Sequence, residues 1–177
     1  MSTVSDLSDR LCSMEQSTRE NNVEINGIPE RKSENLLKVF TQITKTINHD
    51  IPEDDVSNIT RVAKINRDNT RPRTVIVKLR TTRHRDALLA AVITYNKKNA
   101  KNKLSTSHLG LDGASTPIFV AEHLSPSNKS LHAAARKKAK EAGYKFVWVR
   151  GGRIYARRDE QSQAILIRNV ESLKKMS

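Results

Sequence analysis

Several features are scarce in this chain of 177 residues, and each scarcity excludes a class of protein. The single cysteine, Cys12, excludes an intramolecular disulfide framework and a cysteine zinc site within the chain. No run of about 18 apolar residues occurs and the first residues lack the apolar core of a signal peptide, so we expect an intracellular protein without a membrane partner. The histidines show no paired ligand spacing, and neither a Gly-rich phosphate loop nor a Ser/His/Asp constellation is present. We therefore expect no cofactor, no bound metal and no enzymatic activity.

Aromatic residues are also few, but their placement is informative. Only seven are present, and four of them lie in the segment 144–158, YKFVWVRGGRIYARR. The pair Gly151-Gly152 between two alternating runs predicts a two-residue hairpin turn, because glycine accepts positive φ at both positions. Pairing outward from this turn gives a core face of Val147, Val149, Ile154 and Ala156. The opposite face carries Phe146, Trp148, Arg150, Arg153, Tyr155 and Arg157.

This second face combines aromatic rings with arginines, which is what single-stranded nucleic acid requires. Rings stack on unpaired bases, at about 1–3 kcal/mol per base, and guanidinium groups bind phosphates. In the alternative interpretation, Phe146 and Trp148 face a second buried layer and the arginines line a solvated rim.

The charge of the chain favours a polyanionic partner. Lys and Arg total 32 against 19 Asp and Glu, a net charge of +13 with a pI near 10.1. Residues 1–60 hold 6 basic and 11 acidic residues, a net of −5, whereas residues 61–177 hold 26 and 8, a net of +18. We therefore expect nucleic acid to bind the later part of the chain.

A heptad pattern marks the N-terminal segment, residues 1–20. Val4, Leu7, Leu11 and Met14 are spaced as the a and d positions of a coiled coil and predict an oligomerisation contact. Two heptads are short, so the segment is either the end of a longer coiled coil or one amphipathic helix that folds back on the body.

The rest of the chain predicts an α+β protein with two domains joined by a linker at residues 111–116. Residues 21–110 have the order β-α-β-β-α with a weak last strand, which is typical of ferredoxin-like and RNA-recognition-motif domains. The predicted elements are a strand from Val23 ended by Pro29, a helix capped by Ser33 and ending near Asn48, a strand between Val56 and Ile65, a strand at Thr74–Arg80, a helix at Thr82–Asn96 and the weak strand at Lys103–Ser107. The second domain, residues 117–177, is predicted to contain a strand at Pro117–Glu122, a helix capped by Ser125-Pro126, the hairpin, a strand at Ala164–Arg168 and a short helix at Val170–Lys175.

Basic residues outside the hairpin form two further groups. On the helix after Ser125, a cationic ridge is predicted from Lys129, His132, Arg136 and Lys140. The strands VEINGI and TVIVKL carry no aromatic residue, so the first domain is expected to contact the nucleic-acid backbone rather than the bases. The residues expected to do so are Arg71, Arg73, Lys78, Arg80, Arg83 and Arg85.

Three stretches resemble known proteins: RENNVEINGIPE (19–30), RPRTVIVKL (71–79) and EHLSPSNKSLHAAARKKAKEAGYKFVWVRGGRIYARRDE (122–160). They resemble insect proteins with a baculovirus few-polyhedra (FP) protein C-terminal domain. These proteins are in turn similar to the first open-reading-frame protein of LINE-type non-LTR retrotransposons.

That resemblance implies a coiled coil, a non-standard RNA-recognition motif and an FP-type C-terminal domain that together bind single-stranded RNA or DNA. It also implies a homo-oligomer, a trimer if an upstream coiled coil is present, that coats element RNA as a nucleic-acid chaperone. The location would be a cytoplasmic ribonucleoprotein, with the nucleus as the alternative. A second alternative is a structural or assembly protein of the FP type that acts through protein contacts. The basic contacts implied by the resemblance are Arg80, Arg83, Arg136, Lys137, Arg150, Arg153, Arg157 and Arg158.

Overall fold

The computed structural model describes residues 3–64 and 66–177 and begins with helix α1 (Val4–Ser17). Two compact units are present: residues 21–121 form the larger, and residues 1–20 together with 122–177 form the smaller. Both units combine helices with an antiparallel sheet, so the predicted α+β class is confirmed. The first two residues of the predicted coiled-coil segment, and Ile65 at the limit of the predicted second strand, lie outside the described residues.

The larger unit is built on a four-stranded sheet in the order β2-β3-β1-β4. Its elements are β1 (Asn22–Asn26), α2 (Leu36–Thr46), β2 (Val56–Arg61), β3 (Val75–Leu79), α3 (Thr82–Lys98) and β4 (Phe119–Glu122). Alternate residues of β1 and β3 point to one side of the sheet, where they meet apolar residues of the two long helices. The buried core includes Val23, Ile25, Val75, Val77, Leu79, Phe40, Ile43, Leu88 and Val92.

Helix boundaries in this unit differ from the predictions where local hydrogen bonds decide them. The predicted cap at Ser33 is wrong, because the Asn35 side chain accepts a hydrogen bond from the Lys38 N–H at 3.0 Å and α2 begins at Leu36. The predicted start of α3 is confirmed, since Thr81 accepts from the His84 N–H.

The predicted last strand of the first domain, Lys103–Ser107, is wrong. Residues Thr106–Leu109 form a 3₁₀ helix, and β4 completes the sheet instead. The physical reason is that Ile118 and Val120 belong to the core of the larger unit. Gly27 (φ 97°) permits this placement, because a methyl group there would overlap the Pro117 carbonyl oxygen. Residues 117–121 therefore belong to the larger unit, and the predicted linker lies inside it.

The smaller unit places helix α4 (Pro126–Ala142) on a three-stranded sheet of β5 (Phe146–Arg150), β6 (Arg153–Arg157) and β7 (Ile165–Ile167). A 3₁₀ helix at Val170–Lys175 follows. As predicted, Ser125 caps α4 by accepting from the Asn128 N–H at 3.3 Å, with proline in the first turn. The core joins a narrow apolar stripe of α4 to one face of the sheet: Leu131, Ala135, Ala139, Ile154, Ala156, Ile167 and Met176.

Candidate nucleic-acid interface

The hairpin has the predicted turn, register and core face. Gly151 and Gly152 have φ values of 59° and 72°, the left-handed conformation that a two-residue turn needs. The cross-strand pairs are Phe146 with Arg157, Val147 with Ala156, Trp148 with Tyr155, Val149 with Ile154 and Arg150 with Arg153. The predicted core residues pack against α4. The side chains of Phe146, Trp148, Arg150, Arg153, Tyr155 and Arg157 lie on the other side, which we call the outer face.

The centre of the outer face is an aromatic pair. The Trp148 and Tyr155 rings stack with centroids 5.5 Å apart and an interplanar angle of 16°. Both side chains are half-buried rather than enclosed. Each ring covers one face of the other, so the two form one composite platform instead of two separate stacking sites.

Arg150 and Arg153 lie directly opposite each other beside the turn, and both are exposed. Neither forms an ion pair with a carboxylate of the described residues. Like charges in directly opposed positions destabilise a sheet. An anion bound between the two guanidinium groups would remove this repulsion and form charge-assisted hydrogen bonds.

The other two hairpin arginines have partners within the fold. The Arg157 guanidinium lies 4.9 Å from the Phe146 ring centroid, and its Nε is buried without a hydrogen-bond partner among the described residues. Arg158 lies over Tyr144 at 5.3 Å and donates to the Ser177 carbonyl oxygen. Arg157 and Arg158 are therefore less available to a phosphate than Arg150 and Arg153.

The predicted cationic ridge on α4 is exposed at Lys129, Arg136 and Lys140, and the neighbouring Lys137 is also exposed. It does not join the outer face, because α4 packs on the core side of the sheet and its basic side chains point away from it. His132 adds little charge: burial, and next the positive charge of Arg136, lower its pKa below the usual range. The structure thus separates the predicted nucleic-acid residues of this unit into two surfaces.

Residues 125–177 match the family described as baculovirus FP protein domain 2. This FP segment comprises α4, the hairpin, β7 and the final 3₁₀ helix. The predicted FP-type resemblance is therefore confirmed for this segment. No curated protein matches the chain. Within the described residues, no helix combines the length and apolar character that crossing a bilayer requires.

Outside the FP segment, the predicted basic residues differ in how far they are neutralised. Arg71, Lys78 and Arg83 are exposed. Arg73 pairs with Glu30 at 2.7 Å, and hydrogen bonds from Arg73 lower the pKa of that carboxyl. Arg80 lies 3.4 Å from Asp55.

The prediction that Arg85 contacts the nucleic-acid backbone is wrong. Its side chain is only 3% exposed and pairs with Asp86 at 2.8 Å. Helical periodicity places position 85 one turn before the buried Leu88, so Arg85 falls on the buried side of α3.

Sequence reasoning also missed one exposed aromatic residue of the larger unit. Phe119 is 64% exposed on β4, while its neighbours Ile118 and Val120 face the core. The alternation of core-facing and exposed residues along this strand contained the signal, but the strand was predicted to belong to the second domain. The sheet of the larger unit thus carries an aromatic residue on its edge strand.

The predicted oligomerisation residues of α1 form an exposed stripe. Val4, Leu7, Leu11 and Met14 are 86%, 54%, 67% and 66% exposed, and α1 has no buried residue. The apolar stripe does not fold back onto the body.

A different side of α1, at Gln16, contacts the FP segment. The Gln16 amide accepts from the Ser125 N–H at 2.9 Å and from Asn128 Nδ2 at 3.0 Å. It also donates to the His123 carbonyl oxygen at 3.0 Å. This contact ties α1 to the start of α4 and leaves the apolar stripe open, and sequence reasoning did not identify it.

Proposed function

We propose that this protein binds single-stranded nucleic acid, with little sequence preference, through the outer face of the hairpin. The observation that carries the proposal is the stacked Trp148–Tyr155 pair beside two opposed arginines that have no acidic partner among the described residues. Aromatic faces stack on any base, while arginines bind the phosphates that every nucleotide carries. The net charge of +18 on residues 61–177 supports the same partner.

The finer role that we propose is nucleocapsid-like packaging and chaperone activity in a retrotransposon-type cytoplasmic ribonucleoprotein. The strand order of the larger unit supports an RNA-recognition-motif-like domain, because its elements follow the order β-α-β-β-α-β. The exposed Lys78, Arg71 and Arg83 of that unit would contact the sugar-phosphate backbone of the nucleic acid.

A homo-oligomer is part of the proposal. Four large apolar side chains at heptad spacing remain exposed on α1, a helix already tied to the FP segment through Gln16. A second copy of the same stripe would bury them by coiled-coil packing. Association would place several outer faces in one particle, which raises the avidity for a long strand.

The second candidate is a structural or assembly protein that acts through protein contacts. It is favoured by the match of residues 125–177 to baculovirus FP protein domain 2 and by the exposed stripe of α1. A protein-docking face would bind with little dependence on salt, whereas a phosphate-binding face would lose affinity steeply as salt rises.

The deciding experiment is fluorescence anisotropy with labelled single-stranded and duplex RNA and DNA at about 50 and about 200 mM salt. We expect tight, salt-sensitive binding that favours single strands. The double variant Arg150→Ala/Arg153→Ala should reduce the log-log salt slope by roughly 0.7, the value for the one phosphate that the protein no longer neutralises.

The matched control is Lys174→Ala/Lys175→Ala, which removes two positive charges from the exposed end of the same unit. The control should leave the slope nearly unchanged. Equal slopes for the hairpin variant and wild type would refute the outer face as the binding site. Binding that does not depend on salt would favour the assembly function.

A further inference from the structure

The two rings of the aromatic platform differ in what lies on their free sides. Tyr155 stacks on Trp148 on one side, and on its other side β6 pairs with β7, where Leu166 is its directly opposed residue. Directly opposed residues on one face lie about 5 Å apart at Cβ. Tyr155 is therefore flanked on both sides by protein.

Trp148 lies at the edge of the sheet. Its strand, β5, has β6 as its single strand neighbour among the described residues. The indole stacks on Tyr155 with one face; because β5 is the edge strand, the opposite face is directed past the edge of this sheet, and the side chain is half-buried rather than enclosed. An aromatic group arriving from solvent thus meets Trp148 before it meets Tyr155.

Arg150 stands on the same strand and the same face as Trp148. Residues two apart on a strand are separated by about 7 Å, a distance that a nucleotide spans between its base and a neighbouring phosphate. Arg153 lies directly across from Arg150 and adds a second donor at the same level. The two arginines and the outward side of the indole therefore lie next to each other along β5.

We propose that one unpaired base stacks on the face of Trp148 that points away from Tyr155, while Arg150 and Arg153 bind an adjoining phosphate. Tyr155 is a positioning residue: Leu166 lies on one side of it, and on the other side it supports the indole. The inference rests on the proposed function and specifies its ligand: one nucleotide of a single strand whose base, before it binds, is neither paired nor stacked on a neighbouring base. Duplex bases already stack on their neighbours, so the site discriminates against duplex.

The test separates base stacking from phosphate binding by using two strands with the same charge. Affinity is measured by anisotropy for labelled oligothymidylate and for an abasic strand of equal length. In wild type we expect oligothymidylate to bind roughly 5- to 150-fold more tightly, the factor that one stacked base supplies. The chain has one tryptophan, so quenching of its fluorescence by oligothymidylate, and not by the abasic strand, reports the contact directly.

Three variants locate the base. Trp148→Ala should bring the affinity ratio of the two strands close to one, and Trp148→Phe should keep part of it. Tyr155→Leu should keep most of the ratio and of the quenching, because an apolar side chain still supports the indole. The affinity for the abasic strand checks folding, because a general loss of folding lowers it, whereas loss of one stacked base leaves it unchanged.

The outcomes that would overturn the inference are distinct from failure of the proposed function. An unchanged ratio in Trp148→Ala, or a ratio in Tyr155→Leu as low as in Trp148→Ala, would refute the asymmetric role of the two rings. Equal wild-type affinity for both strands would leave phosphate binding in place and refute base stacking. Absence of affinity for both strands would remove the proposed function and the inference with it.

Discussion

A methyl group added at Gly152 tests the contact between α1 and the hairpin turn. Gly151 and Gly152 both have positive φ, so alanine at either position is strained in the same way. Only Gly152 faces another part of the protein: a Cβ there would lie 2.7 Å from Gln16 Cγ, whereas a Cβ at Gly151 would meet nothing within 4 Å. Gly151→Ala is thus a matched control that contains the strain and omits the clash.

The magnitude follows from what the Gln16 side chain holds. Left-handed strain costs roughly 1–2 kcal/mol in either variant. To avoid the methyl group, Gln16 must move, and its amide then gives up hydrogen bonds to Ser125, Asn128 and His123. At about 0.5–1.5 kcal/mol for each bond, loss of two of them makes Gly152→Ala about 1–3 kcal/mol less stable than Gly151→Ala.

Urea unfolding followed by the fluorescence of Trp148 measures the free energy of unfolding of the smaller unit, because this single tryptophan lies in it. The decisive measurement is the double-mutant cycle with Gln16→Ala. Without the glutamine side chain, the penalty of Gly152→Ala should fall to that of Gly151→Ala. Equal penalties for the two glycines in wild type, or a Gly152→Ala penalty that persists in Gln16→Ala, would refute the contact.

Two further predictions concern α1 and α4. Leu7→Asp with Leu11→Asp should lower the mass measured by light scattering toward that of one chain, because charges at a and d positions prevent coiled-coil packing. The control variant, Ser5→Asp with Ser13→Asp, should not lower the mass. A monomeric wild type would contradict this prediction. NMR titration should find the His132 pKa below 6.5, so the stability of the smaller unit is fully present above that pH and falls as the pH drops. Arg136→Ala should raise this pKa only in part, since burial is the larger cause, and a pKa that did not move would contradict the role of the Arg136 charge.

The hairpin could be predicted in detail because its determinants are local. Two adjacent glycines fix the turn, and once the turn is fixed, strict alternation places every side chain on one face or the other. The cap of α4 at Ser125 was predicted for the same reason, since capping chemistry acts over a few residues.

Features that depend on distant contacts were not predictable in this way. The strand at Phe119 pairs with the larger unit because Gly27, far away in sequence, leaves room for the Pro117 carbonyl group. The cap of α2 depends on whether Ser33 or Asn35 reaches a free N–H, and both residue types are good caps. The Gln16 amide shows no sequence signal, because its partners lie more than 100 residues later in the chain.

Charge composition alone also overstates the number of arginines that can bind a phosphate, because the arginines of this protein differ in their partners within the fold. Arg61 shows the extreme case: it is buried in a two-point ion pair with Glu34, with 2.7 Å for each bond, and lowers the pKa of that carboxyl. Such an arginine stabilises the fold and has no donor left for a phosphate. Arg157 lies flat on Phe146, another internal partner.

Arg150 and Arg153 stand apart from that set, since they repel each other and no carboxylate of the described residues compensates them. Because both charges are exposed to water, their repulsion is screened and the fold tolerates it, but folding does not require it. In the proposed function, a bound phosphate would neutralise the pair and make it a favourable clamp beside the Trp148 ring. Two exposed arginines without an acidic partner among the described residues therefore favour a phosphate ligand more specifically than the number of positive charges in the chain does.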